Sequence, residues 1–215
     1  MTISSSIRNA SLAVLCISAL GVAYPAHAAI HGFRAWGGGR QVGHAGTTFR
    51  NAQGGVTHAE GSRAVGPNGS ASHGSYTSTH SDGSLTHQSA GKVNGVNGGS
   101  ASGSSSYTRN PDGSAQGSFS QTAHSAAGGN YSSNGNYARD ADGNWNSSRQ
   151  TSANKANGGS YNGNTTRSNG TATHDTTIQG ANGNTYTGQT SYTKGQGVTH
   201  TGSCANASGA SVACQ

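Results

Sequence analysis

The sequence predicts an all-β repeat protein: a ten-arm array of strand-and-turn units, each about 15 residues long. Three observations predict it. First, a triad of polar, central and polar residues recurs ten times, starting at Ser70, Ser84, Ser100, Ser114, Asn130, Asn144, Ser160, Thr171, Thr185 and Thr199. The starts step by 14, 16, 14, 16, 14 and 16, then by 11, 14 and 14. Second, two kinds of turn alternate. Asp82-Gly83, Asp112-Gly113 and Asp142-Gly143 lie 30 residues apart, and Gly98-Gly99, Gly128-Gly129 and Gly158-Gly159 fall midway between them. Third, no 3.6-residue apolar period appears after Ala28, and the chain holds 36 glycines, so helices are disfavoured.

The elements follow in order. Arg8, the apolar run from Ala10 to Ala23 and the small residues of Ala26-His27-Ala28 read as a secretory signal peptide, cleaved after Ala28. The run is too short to span a bilayer, so no stable membrane insertion is expected after cleavage. Cys16 follows Leu15, where a lipoprotein site wants a small residue. Residues 29–65 read as an irregular, Gly-rich lead-in, with Gly37-Gly38-Gly39 as its flexible part and Phe33, Trp36 and Phe49 as candidates to cap the first repeat. Residues 66–203 form the β-repeat array. Asp-Gly and Gly-Gly are expected in two-residue hairpin turns with both central residues at positive φ. Residues 204–215 form a C-terminal cap closed by a disulfide between Cys204 and Cys214, the only cysteines left after cleavage.

Alternation along a strand puts each triad centre on one face and its flankers on the other. The centres are Ala71, Leu85, Ala101, Ala115, Tyr131, Trp145, Tyr161, Ala172, Tyr186 and His200. A face of small and aromatic residues should therefore oppose a face of hydroxyls and amides. A second register carries Tyr76, Tyr107 and Tyr137. An antiparallel meander and a two-sided β-solenoid both satisfy this spacing. So thin a supply of Leu, Ile, Val and Phe excludes a conventional globular core, leaving a flat laddered sheet or a partly disordered chain as the alternatives.

Composition also limits function. The chain carries 12 basic and 6 acidic residues, net +6. The basic residues, among them Arg109, Arg139, Arg149, Lys155 and Arg167, read as scattered surface charge, and no nucleic-acid partner is expected. Glu60 is the only glutamate, and among the carboxylates only Asp140 and Asp142 share a local segment, so no catalytic residues are singled out and no enzyme is expected. The histidines lack zinc spacing, and Asp140-Ala141-Asp142-Gly143 lacks the further acids of a calcium loop, so no metal and no cofactor are expected. His73, His80 and His87 step by seven and are expected to alternate faces.

Three function classes remain. The first is a secreted or cell-surface structural protein of the extracellular matrix, self-associating through sheet edges. The second is a polysaccharide-binding module stacking sugar rings on Tyr131, Trp145, Tyr161 and Tyr186, with neighbouring Asn and Ser. The third rests on Thr171-Ala172-Thr173, Thr185-Tyr186-Thr187 and Thr199-His200-Thr201. These copies resemble the Thr-x-Thr ladders of insect-type β-helical antifreeze proteins, and the resemblance implies rows of methyls and hydroxyls facing ice. A β-branched preference for strands accounts for the same threonines.

Overall fold

Ser, Thr, Asn and Tyr in the arms favour extended backbone, and glycine-bearing turns break the arms at regular intervals. The computed structural model describes residues 29–214. The expected signal peptide, residues 1–28, lies outside the described residues. Within the described residues the strands are β1 (Ala29–Gly37), β2 (Arg40–Arg50), β3 (Val56–Gly66), β4 (Gly69–Thr79), β5 (Leu85–Gly95), β6 (Ser100–Arg109), β7 (Ala115–His124), β8 (Asn130–Arg139), β9 (Trp145–Asn154), β10 (Ser160–Ser168), β11 (Thr171–Gln179), β12 (Thr185–Thr193), β13 (Gly197–Ala205) and β14 (Ser211–Val212). They form one open antiparallel sheet in strict chain order. The fold is all-β and the array is a meander, not a solenoid. The ten triads fall on or at the start of the ten strands β4–β13.

The expected irregular lead-in at 29–65 is corrected: β1, β2 and β3 lie there, in the same sheet. Glycine misled the reading. Gly38 and Gly39, with φ of 57° and 72°, form the tight two-residue hairpin between β1 and β2. Most other connections are not the two-residue turns expected. In the β4–β5 loop, Gly83 N–H donates to the His80 carbonyl at 3.0 Å and His80 N–H donates to the Ser84 carbonyl at 3.0 Å. Gly83 sits at φ 86°, while Asp82 keeps negative φ. This is a three-residue loop ending in a glycine bulge. The same pair of bonds closes the loops starting at Gly95, Asn110, Ser125, Asp140 and Lys155, which follow at even spacing. The longer loop leaves only one position that needs glycine. Asn169-Gly170 is the exception that keeps two positive-φ residues.

The sheet is a single layer, so backbone ladders replace a core. Ala115 is the only buried hydrophobic residue among those described. Across β5–β9 the register carries Leu85, Ala115 and Trp145, on alternate strands, into one transverse row, with Arg109 and Arg139 between them. At about 4.8 Å per strand the sheet is about 60 Å across.

The N-terminal strands are locked by polar burial. Asn51, in the β2–β3 loop, donates through Nδ2 to Ser78 Oγ (2.9 Å), Thr57 Oγ1 (3.2 Å) and the Thr79 carbonyl (2.8 Å). Its Oδ1 accepts from Gly55 N–H at 2.9 Å. Thr57 and Ser78, 3% and 8% exposed, also bond each other at 2.8 Å. At the other end, the Cys204–Cys214 disulfide ties the residues just after β14 to β13, with the two Cα atoms 5.3 Å apart.

Candidate functional site

The two faces of this sheet differ sharply, and the strand registers place every side chain on one or the other. Directly paired residues share a face, and residues two apart in a strand share a face. All ten triad centres fall on one face. The triad flankers lie opposite.

Across β6–β13 the flanker face consists of Ser, Thr, Asn and Gln, except for His124, Ala138, Asp175, Gly197 and Ala205. Its hydroxyls bond across strands: Ser102 to Thr122 at 2.9 Å, Ser106 to Ser118 at 2.8 Å and Thr187 to Ser203 at 2.8 Å. The expected threonines Thr171, Thr173, Thr185, Thr187, Thr199 and Thr201 all lie on this face. The antiparallel course brings only Thr173 and Thr199 into a common row. Thr173 and Thr199 are linked through Ser191, whereas Thr187 pairs with Thr177 and Ser203, and Thr201 with Gln189.

The opposite face holds every aromatic and every arginine of β6–β13. Tyr107, Phe119, Tyr131, Tyr137, Trp145, Tyr161, Tyr186 and Tyr192 are there, with Arg109, Arg139, Arg149 and Arg167. No strand residue on this face between β5 and β13 is acidic. The aromatic rings rest on glycines that leave room for them. A Cβ on Gly117 would lie 2.5 Å from the Tyr137 ring, and one on Gly135 2.7 Å from the Phe119 ring. Tyr161 covers Gly163, and Tyr186 covers Gly188 and Gly202. Tyr107 and Tyr137 straddle Gly117 with near-parallel rings 6.4 Å apart, and Trp145 continues the row at 5.7 Å from Tyr137. Burial against the sheet raises the pKa of the Tyr137 phenol, and neighbouring Tyr107 adds to the rise. Arg149 reaches over Phe119 (5.8 Å to the ring centroid) and donates through Nε to Ser133 Oγ at 3.1 Å.

Of the four aromatics expected to stack on sugars, Tyr131, Tyr161 and Tyr186 lie in one transverse row on alternate strands. Trp145 sits near the other end, 49% exposed. The Asn and Ser that flank them in sequence point to the other face, so they do not border the rings. Tyr76 departs from the register expected of it. It pairs with Gln88, and it is Thr77 that shares the row of His87 and Tyr107. A one-residue offset therefore puts Tyr76 on the flanker face.

The arginine grouping is what the sequence reading missed. Arg109 and Arg139 lie eight residues after their triad centres, Arg149 four and Arg167 six. Even offsets within one strand mean one face, so the signal was present in the numbering. Histidines follow the same rule. His73 and His87, fourteen residues apart and so on one face of the expected alternation, share the aromatic face, two residues after their centres, while His80, expected on the other face, lies in a loop. His31, His44 and His58 extend this face into β1–β3, with ring centroids 6.0 and 6.3 Å from His31. Among the described residues, no three His, Cys, Asp or Glu side chains are grouped to hold a metal ion.

The two ends of the strands differ too. The Asp-bearing loops lie at one end of the sheet and the Gly-Gly loops at the other. Donation from Ser84, Ser114 and Asn144, by side chain and backbone, lowers the pKa of Asp82, Asp112 and Asp140 respectively. Compared with protein-family models, curated proteins and solved structures, the chain matches none.

Proposed function

We propose that this chain is an exported, non-enzymatic structural protein of the cell surface or extracellular matrix, and that it assembles through its sheet edges. The observation that carries this reading is β13. Its only described partner on the outer side is β14, which pairs with Cys204 and Ala205 alone and leaves 197–203 open. That stretch holds no Lys, Arg, Asp, Glu or Pro, the residues that usually guard an edge. β1 at the other edge has β2 as its described partner. Odd-numbered strands run in one direction. Two β13 edges related by a two-fold axis normal to the sheet therefore meet antiparallel, and so do two β1 edges. Such joints keep the same face outward in every copy and use the more stable ladder geometry.

Sedimentation velocity and electron microscopy of the 29–215 chain test the reading. β-rich multimers are expected, and a Thr199→Lys/Thr201→Lys variant should remain small while keeping its far-UV spectrum. A chain that stays monomeric at high concentration for weeks overturns it.

A second reading, polysaccharide binding, is supported by the aromatic face: Tyr131, Trp145, Tyr161 and Tyr186 share it, and none is fully buried. Ring faces of this kind suit the apolar faces of sugars.

A further inference from the structure

We infer that the aromatic–arginine patch on β6–β10 binds an acidic polysaccharide, one bearing carboxylates along an extended chain. The inference rests on the polysaccharide reading and names its ligand class.

The patch is compact. Arg109, Arg139 and Trp145 share one transverse row, Tyr107, Tyr137 and Arg167 the next, and Phe119 and Arg149 the third. Tyr137 lies down over Gly117, so it paves the surface and does not project from it. Tyr107 and Trp145 extend the paving to either side with planes within 25° and 30° of it. A flat pavement of this kind accepts the flat C–H face of a pyranose ring.

Charge selects the ligand. Among the described residues, none of the four arginines has a carboxylate oxygen within 4.0 Å. The one basic–acidic side-chain contact described lies elsewhere, His58 Nε2 to Glu60 Oε2 at 4.0 Å. Arginine's planar fork matches a carboxylate with two parallel hydrogen bonds. Arg109 and Arg139 stand on strands two apart, so they are separated by about 9.6 Å at the backbone. That spacing is of the order of a disaccharide in an extended glycan. Four charges spread over five strands are sparse for a phosphodiester backbone, which presents a charge at every nucleotide.

Trp145 provides the readout. The only other tryptophan is Trp36, 69% exposed on β1, and Trp36→Phe leaves Trp145 as the sole reporter. Its fluorescence would be titrated with polygalacturonate, a neutral glucan of matched length, and single-stranded DNA. Polygalacturonate is expected to shift the Trp145 emission, with binding weakened by salt. Arg109→Gln/Arg139→Gln should weaken binding at least 10-fold with the far-UV spectrum unchanged, since neither arginine makes a described side-chain bond. Asn134→Ala, on the opposite face of β8, should change it less than 2-fold.

Equal binding of glucan and polygalacturonate, unaffected by the arginine substitutions, overturns the acidic ligand class but keeps the polysaccharide reading. Binding of DNA as tight as that of polygalacturonate overturns the glycan as occupant. No response to either glycan removes both. Quenching that appears only on self-association, in the absence of any polymer, assigns the face to a second copy and overturns the inference.

Discussion

The ends of this sheet are held differently from its middle. At the N-terminal end, Asn51 gathers Thr57, Ser78 and Thr79 into a buried hydrogen-bonded knot. At the C-terminal end a disulfide fastens the last strand. In β6–β10 there is no disulfide, and the buried polar contact joins neighbouring strands only: Ser133, 1% exposed, accepts from Arg149 Nε and bonds the Thr151 hydroxyl. There the pattern recurs on every second strand, and the two faces are sorted into aromatic–arginine and hydroxyl–amide. A regular middle can rely on repetition: each strand offers its neighbours the same ladder, and aromatics settle on the glycines that face them. The disulfide anchors the chain at the β13–β14 edge, whereas the polar knot joins β3 to β4, two strands inside the other edge. This difference also explains why the sorted middle presents the most uniform surface.

The largest effect should come from breaking the N-terminal knot. Asn51→Ala leaves the Thr57 and Ser78 hydroxyls without their shared donor, and should cost about 2–3 kcal/mol in denaturant unfolding. The control is Asn134→Ala on the exposed flanker face of β8, expected to cost less than about 0.5 kcal/mol. Similar losses at both sites would erase the distinction between end and middle.

Removing the C-terminal anchor ranks next. Cys204→Ser/Cys214→Ser opens a loop of ten residues' separation. Its loss should cost about 2–3 kcal/mol. Hydrogen exchange should show the loss concentrated in β13 and β14, with β6–β10 protection retained.

Within the middle, Gly135→Ala places a Cβ 2.6 Å from the Ser148 carbonyl and 2.7 Å from the Phe119 ring. The strand must shift, at a cost of about 1–2 kcal/mol. A neutral outcome would show that the aromatic does not depend on the glycine beneath it.

The smallest effect is acid sensitivity of one strand end. The folded chain lowers the pKa of Asp82, Asp112 and Asp140 below the usual 3.8. Depressed carboxylates add stability above the unfolded value, and this is lost as pH falls through the folded value. Below about pH 4, the protection of the Ser84, Ser114 and Asn144 amides against hydrogen exchange, relative to the unfolded chain at the same pH, should fall. The Gly129 and Gly159 amides, in the opposite loops, should not follow.

Much of the middle was legible in the residues. The triad centres and their even-numbered followers belong to one face whatever the sheet's topology, because alternation is a property of each strand. That argument finds Tyr107, Tyr137 and the four arginines, and it shows that Tyr76, five residues after its centre, must lie opposite. Counting parity from the centres, and not spacing between like residues, was the step needed. The N-terminal strands were not legible, because the triad is missing there and the anchoring asparagine lies in a loop. Asn51 and Ser78 are 27 residues apart, and nothing in either segment names the other.

The sequence alone therefore determined the strands of the array, the places of their turns, the segregation of residues onto two faces and the pairing of the last two cysteines. These depend on local alternation, local turn chemistry and simple counting. Tertiary structure decided that the arms pair as a meander and not a solenoid. It also decided that most loops carry three residues, that residues 29–65 join the sheet, and that Tyr137 lies on Gly117. Each of these depends on which strand lies alongside which, and in what register, and a ladder of near-identical arms leaves that choice to the sum of many weak cross-strand contacts.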